Sequence, residues 1–311
     1  MPFSFENGTT DYTNIVSIAT ASVLCFTCIC GVLGNTIVIG VGILKRKYQN
    51  NVTNCYIINL AITDLLFLLV SVPLTTYLSM QKAWIFGEFL CKIPFYFAYV
   101  LLQATCYTLA AMSIDRYLTI VHEGWYRRYR KPKYALIICI LIWTVSSVFM
   151  FPYDYLLQRD VGTINQSLVI LECTVNDNAS FLSCLSTFGF YYVLPLLIII
   201  LCYSRVSSYI RYHGIKILTH LSGRTSQVIY LRGRRVQRML LGLILAFALC
   251  WLPIHVLELL NCSQILSNTI DSKHIHLLTI VRIIAHGLSY FNSCLNPFLY
   301  AILNKSYFSS R

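Results

Sequence analysis

Charge is the scarcest property of this chain. Asp, Glu, Lys and Arg make up 12% of its 311 residues, where an ordinary soluble domain carries about 25%. With 57% hydrophobic residues the composition excludes a soluble globule. Acid is rarer than base, 12 residues against 24, for a net charge of +12. No Lys/Arg-rich segment with interleaved stacking aromatics accompanies that charge, so no nucleic-acid partner is expected. A basic start is also lacking: the apolar sequence begins near residue 15, behind the acidic and polar MPFSFENGTTDYTN, which does not read as a cleaved signal peptide. Neither a nucleophile-base-orienter set nor a metal-ligand spacing stands out, which leaves enzyme chemistry without a candidate. Inverted repeats and matched broken spans are missing too, and this argues against a transporter or channel.

Long apolar runs are what the chain has, at roughly 15–43, 52–79, 90–121, 133–152, 186–210, 236–260 and 275–303. Each can cross a hydrocarbon core of about 30 Å, which takes about 20 helical residues. Barrel strands of about 10 residues with alternating polarity do not fit runs this continuous. The expected fold is an all-α membrane protein, a seven-transmembrane helix bundle over 15–303. Residues 1–14 form an outer segment, and 304–311 open a short amphipathic cytoplasmic helix, with Tyr307 and Phe308 toward lipid and no tail beyond.

With the N-terminus outside, 19 of the 24 basic residues fall on inner segments, against Lys82, Lys92, Arg159, Lys273 and Arg282 outside. That is the positive-inside bias, so the net charge is mostly an orientation signal. The sequons at Asn7, Asn165, Asn178 and Asn261 then lie outside, where glycosylation is expected, while those at Asn51 and Asn304 lie inside and stay unused. Most of the 13 cysteines sit within the apolar runs as small buried residues. Cys91, Cys173, Cys184 and Cys262 lie near the outer face, the oxidising side where a disulfide can form.

Polar groups inside the spans are costly and therefore informative. Asp64 lies near the middle of the second run, with Asn35, Thr105, Asn292, Ser293 and Asn296 at similar depth on other runs. Two readings are open: a polar switch around a bound sodium ion held by Asp64, Thr105, Asn292, Ser293 and Asn296, or a static hydrogen-bond network. Pro73, Pro195, Pro253 and Pro297 are interior to runs two, five, six and seven and kink them.

GNTIV (34–38), NLAITD (59–64), Trp84 in WIFG, Cys91, DRY (115–117), Trp143, Pro195 with Tyr203, CWLP (250–253) and NPFLY (296–300) occur in the order and spacing of rhodopsin-like G-protein-coupled receptors. This resemblance covers essentially the whole chain. It implies a multi-pass plasma-membrane receptor that acts on a heterotrimeric G protein, with Cys91 and Cys173 as the disulfide tying outer loop two to the third helix. It also implies a switch set comprising Asp115, Arg116, Tyr117, Tyr203, Phe247, Trp251, Pro253, Asn296, Pro297 and Tyr300. The resemblance further implies that Trp251 is the toggle, that Pro195, Cys106 and Phe247 form the connector, and that Tyr203 and Tyr300 swing inward. Cys106 departs from the family's usual Ile or Val. Independently, Cys91 and Arg116 are 25 steps apart, about 37 Å of helix at 1.5 Å per residue. The third helix therefore joins an outer staple to an inner charge.

Ala98 stands where amine receptors place an aspartate, and Tyr290 where opsins place the Schiff-base lysine, which argues against amines and retinal. QATCYTLAAMSIDRYLTIVH and AHGLSYFNSCLNPFLYA resemble the galanin, kisspeptin and allatostatin-A receptor group, and His255 after CWLP is similar to galanin receptors. Ligand candidates on the outer third of the bundle are Tyr77, Tyr99, Gln103, Glu172, His255, Glu258, Arg282, His286 and Tyr290. An aromatic, mixed-charge lining suits an amphipathic peptide end. The bland alternatives are an interfacial tyrosine belt for Tyr77 and mutual pairing or snorkelling for Glu258 and Arg282. A decoy receptor, or one for a non-peptide ligand, is the alternative function. The inner end of the sixth helix reads RGRRVQR and offers Arg116 no acid, so the expected lock is Asp115 holding its neighbour Arg116, with measurable basal signalling.

Overall fold

The structure, a computed structural model, describes residues 10–46, 49, 51–80, 85–156, 159–163, 171–175, 181–220, 224–263 and 275–303. Seven long helices appear: α1 (Thr10–Leu44), α2 (Val52–Met80), α3 (Gly87–Val121), α4 (Pro132–Leu156), α5 (Leu194–His220), α6 (Arg224–Cys262) and α7 (Ile275–Leu303). Six have a stretch long and apolar enough to cross a membrane. The seventh, α7, is 29 residues long but carries Arg282, His286, Asn292, Ser293 and Asn296, which dilute its hydropathy.

Local chemistry sets the helix bounds. Asn51 starts α2 as a side-chain cap, its Oδ1 accepting from the Thr53 N–H at 3.1 Å. In α1 the buried positions Ala21, Leu24, Gly31, Asn35 and Val38 recur at helical spacing, while Val23, Phe26, Ile29, Leu33 and Ile37 are exposed. One stripe thus meets the bundle and the other is left for lipid.

The helices pack around α3. α1 packs on α2 and α7, α7 on α6, and α3 runs through the middle against α2, α4, α5 and α6. Asn59 fastens three of them: it accepts from Trp143 Nε1 at 2.9 Å and donates to Thr108 Oγ1 at 2.8 Å, linking α2, α4 and α3. Gly31 allows α1 to sit close, since a Cβ there would lie 2.7 Å from Cys294 Sγ on α7. Helix α5 is preceded by a helical stretch, Phe181–Phe188, and a π-turn, Gly189–Val193.

One feature departs from the all-α expectation. Between α4 and α5 a hairpin forms, β1 (Arg159–Thr163) antiparallel to β2 (Leu171–Val175), with Val161 opposite Cys173 and Gly162 opposite Glu172. It touches the α3 segment, as a loop tied down near the helix mouth would. Ladder hydrogen bonds satisfy this extended backbone at low cost, and no hydropathy pattern announces so short a pair.

Candidate functional site

A cavity of about 130 Å³ lies among α2, α3, α6 and α7. Helix periodicity aims its walls inward: Phe67, Ser71 and Thr75 recur at i, i+4 and i+8 on α2, and Trp251, His255 and Glu258 do so at i, i+4 and i+7 on α6. Of the nine ligand candidates, Tyr99, His255, Glu258, His286 and Tyr290 line this cavity. Tyr290 is buried, its hydroxyl 2.6 Å from Thr75 Oγ1. Three buried polar atoms at the cavity have no hydrogen-bond partner: Ser71 Oγ, Trp251 Nε1 and His255 Nε2. Such orphans are costly in a native interior and mark places where a ligand or water supplies the missing bond.

The other candidates lie elsewhere. Tyr77 packs with Leu74, Leu78 and Phe95 around Cys91, edge-on to Phe86 at 4.8 Å. Arg282 donates to Asn261 Oδ1 at 3.0 Å across the outer ends of α7 and α6. Gln103 is buried but faces a second cleft on the lipid side of the bundle. Glu172 is placed on β2 by its backbone, and its side chain lies outside the described set. Thr75, Ser71 and Phe67 line the cavity without having been singled out. Their i, i+4 register with one another was the available signal, hidden because small and apolar residues in a span read as packing.

Beneath the cavity an aromatic column runs inward. Trp251 is 5.6 Å from Phe67 and 6.1 Å from Phe247, and Tyr192 is 6.2 Å from Phe247 and 5.0 Å from His255. Pro253 and Pro297 lie inside α6 and α7, as does Pro73 in α2, while Pro195 follows the π-turn. Pro94 is a further interior proline, in α3.

At mid-depth Asp64 is 1% exposed, and Asn296 Nδ2 donates to its Oδ2 at 2.6 Å. Thr105 donates to Thr63 Oγ1 at 3.1 Å, and Asn35 Nδ2 bonds the carbonyls of Gly31 and Ser293 at 2.9 and 3.0 Å. The side-chain oxygens of Asn292 and Asn35 are buried without a partner.

The inner charge lock is not the one expected. Asp115 does not pair with Arg116. Its carboxylate is held by Arg130, Nε to Oδ1 at 2.9 Å and Nη2 to Oδ2 at 3.0 Å, with the Tyr126 hydroxyl donating to Oδ1 at 3.0 Å. Arg116 instead donates through Nη2 to Thr53 Oγ1 on α2, an oxygen that also accepts from Arg130 Nη2 at 3.3 Å. Successive residues on a helix point about 100° apart, so the neighbouring acid and base do not face each other. Residues 122–131 fold back under α3 through the helical turn Glu123–Tyr126 and deliver Arg130 to the acid. Burial, the Asp115 charge and the hydrogen bond to it push the Tyr126 phenol above its ordinary value. Tyr117 points away, its hydroxyl 3.1 Å from His122 Nε2. The Tyr203 hydroxyl is buried without a partner, and Tyr300 is fully buried.

Cysteines bear on the outer face at two places. Cys91 is disulfide-bonded, and Cys173 sits on β2 with its side chain outside the described set. Cys184 and Cys262, left unassigned by sequence, form a disulfide with Cα atoms 6.4 Å apart, joining the lead-in of α5 to the end of α6. The sequons at Asn7, Asn165 and Asn178, and the segment 304–311, fall outside the described residues.

Long apolar helices packed around α3, a cavity floored by Trp251 and a partly buried Asp115–Arg130 ion pair at the far end of α3 are the architecture of a helical membrane receptor. Residues 34–300 match the family "7 transmembrane receptor (rhodopsin family)", and the chain belongs to that family. It is 31% identical over 294 residues to galanin receptor 2b of Danio rerio, covering 94% of this chain and 74% of the relative. It is 32% identical over 317 residues to the allatostatin-A receptor of Bombyx mori, covering 97% and 82%. The KiSS-1 receptor of Mus musculus is 33% identical over 281 residues, covering 89% and 69%. Members of this family are membrane signalling receptors, and this chain is not an enzyme.

Proposed function

We propose that this chain is a plasma-membrane receptor for an extracellular neuropeptide, oriented with its N-terminus outside, that activates a heterotrimeric G protein. The observation that carries the reading is the set of unpaired polar atoms, Ser71 Oγ, Trp251 Nε1 and His255 Nε2, in a cavity directly above the Trp251–Phe247 contact. A peptide end that hydrogen-bonds there presses on the aromatic column. It favours the state in which the cytoplasmic ends of helices three, five, six and seven separate. Relatives named for galanin, allatostatin-A and KiSS-1 support a peptide over other ligand classes. Glycans on Asn7, Asn165 and Asn178 belong to the same reading.

A sodium ion fits the mid-depth network. Among the described residues no three His, Cys, Asp or Glu side chains gather, so the site offers one carboxylate and neutral oxygens, which suits a singly charged ion. Asp64, Asn292 and Ser293 would hold it, with the Thr105 oxygen lone pairs and Asn296 beside them; the ion would supply positive charge to a carboxylate otherwise met by the neutral Asn296 amide and Ser293 hydroxyl.

The test is a panel of free and amidated neuropeptides on cells expressing the chain, read by calcium and cyclic AMP. An activating peptide should lose about tenfold in potency with His255→Ala, the size of one buried hydrogen bond, and little with Tyr77→Ala. Unchanged potency in the His255 variant at equal surface expression overturns the cavity assignment, and substrate flux without signalling would favour a transporter.

A further inference from the structure

Between the middle of α3, α4 and the start of α5 lies a cleft of about 320 Å³ that belongs to no part of the outer cavity. Its rim is made of Leu141, Val145, Phe149, Phe190 and Leu194, between 38% and 57% exposed. On an apolar bundle these residues face lipid, so the cleft opens sideways into the bilayer. At its wall is Gln103, 3% exposed, whose Oε1 is buried and has no hydrogen-bond partner.

Two hydroxyls line the cleft, those of Tyr107 and Ser146, and neither donates to that oxygen. In the π-turn the Leu194 N–H donates to Gly189 O, not to Phe190 O as an α-turn would have it. The next amide in register belongs to Pro195, which has no N–H. Tyr107 fills the gap by donating its hydroxyl to Phe190 O at 3.3 Å. The one proton of that phenol is therefore spent, and the Gln103 acceptor stays unmet in a place where water is scarce.

Depth selects the occupant. Gln103 lies two residues from the midpoint of the apolar stretch Phe89–Val121, about 3 Å along the helix. Lipid headgroups and the hydroxyl of an ordinary sterol sit about 12 Å away or more, at the edge of the hydrocarbon core. The donor must instead be carried at the far end of an apolar body. A rigid body also loses less freedom on binding than a flexible chain, and Val145 and Phe149 offer one face along α4 for it to lie against.

We propose that this cleft binds a side-chain-hydroxylated sterol taken from the bilayer, its deep hydroxyl donating to Gln103 Oε1 and its rings lying over Val145 and Phe149. The site is distinct from the peptide cavity and stands whether or not that cavity takes a peptide.

The experiment uses the whole chain purified into phosphatidylcholine nanodiscs, with tritiated 25-hydroxycholesterol as probe and unlabelled cholesterol as competitor. Saturable binding is expected, with cholesterol at least tenfold weaker. Gln103→Leu should lower the affinity for the hydroxysterol to that for cholesterol, and Val145→Trp, placed on the lipid side, should abolish binding of both. Thermal unfolding of each variant checks its fold, and if Gln103→Leu does not fold, Val145→Trp decides. Equal affinity for the two sterols, no effect of either variant, or no saturable binding overturns the proposal.

Discussion

Asp115 illustrates what a single residue can and cannot announce. Its place in DRY is plain in the sequence, but its counter-charge comes from Arg130, 15 residues on, and not from the adjacent Arg116. Only the fold of inner loop two brings that guanidinium under α3. The acid is 3% exposed and Arg130 22%, so the bidentate pair is partly sheltered and outweighs an exposed one. Arg130→Ala and Asp115→Asn should therefore both raise ligand-free signalling, by up to tenfold if about 1.4 kcal/mol of the lock is lost. Measured at equal surface expression, basal activity unchanged in both variants would count against the lock. Tyr126 contributes the third bond. Because its folded value is raised, that bond is present below the ordinary phenol value of about 10 and weakens only as pH rises beyond it. Basal activity should thus show no Tyr126-dependent change between pH 6 and pH 8.

Elements were legible to different degrees. The runs of the first six spans coincide with helices because a continuous apolar segment has no other way to satisfy its backbone in lipid. The seventh was equally recognisable by its NPFLY end, though its inward-facing polar residues weaken its hydropathy. The hairpin was not legible, since its pairing depends on where α3 and α4 end. Close contact of α1 was hidden too, as Gly31 reads as any glycine until Cys294 and Leu68 are seen against it. Gly31→Val should overpack that seam at a cost of about 1–3 kcal/mol, seen as a lower melting temperature of the purified chain with unchanged ligand selectivity. A variant as stable as the parent would show that α1 can move away without loss.

At the scale of the molecule, the outer cavity, the aromatic column, the Asp64 network and the inner lock lie along α3 from one face to the other. If sodium occupies the mid-depth site, replacing sodium chloride by choline chloride should lower the melting temperature of the parent and leave Asp64→Asn unaffected. Equal sensitivity of the two to the salt exchange would leave the network as static packing. The sequence by itself determined the class of fold and the family, because apolar length, helical spacing and motif order are local properties of a chain. Which of the candidates share a cavity was decided by tertiary structure alone. Helix rotation and tilt come from packing between distant spans, and they sent His255 and Tyr290 inward, Gln103 toward lipid and Arg130 to Asp115.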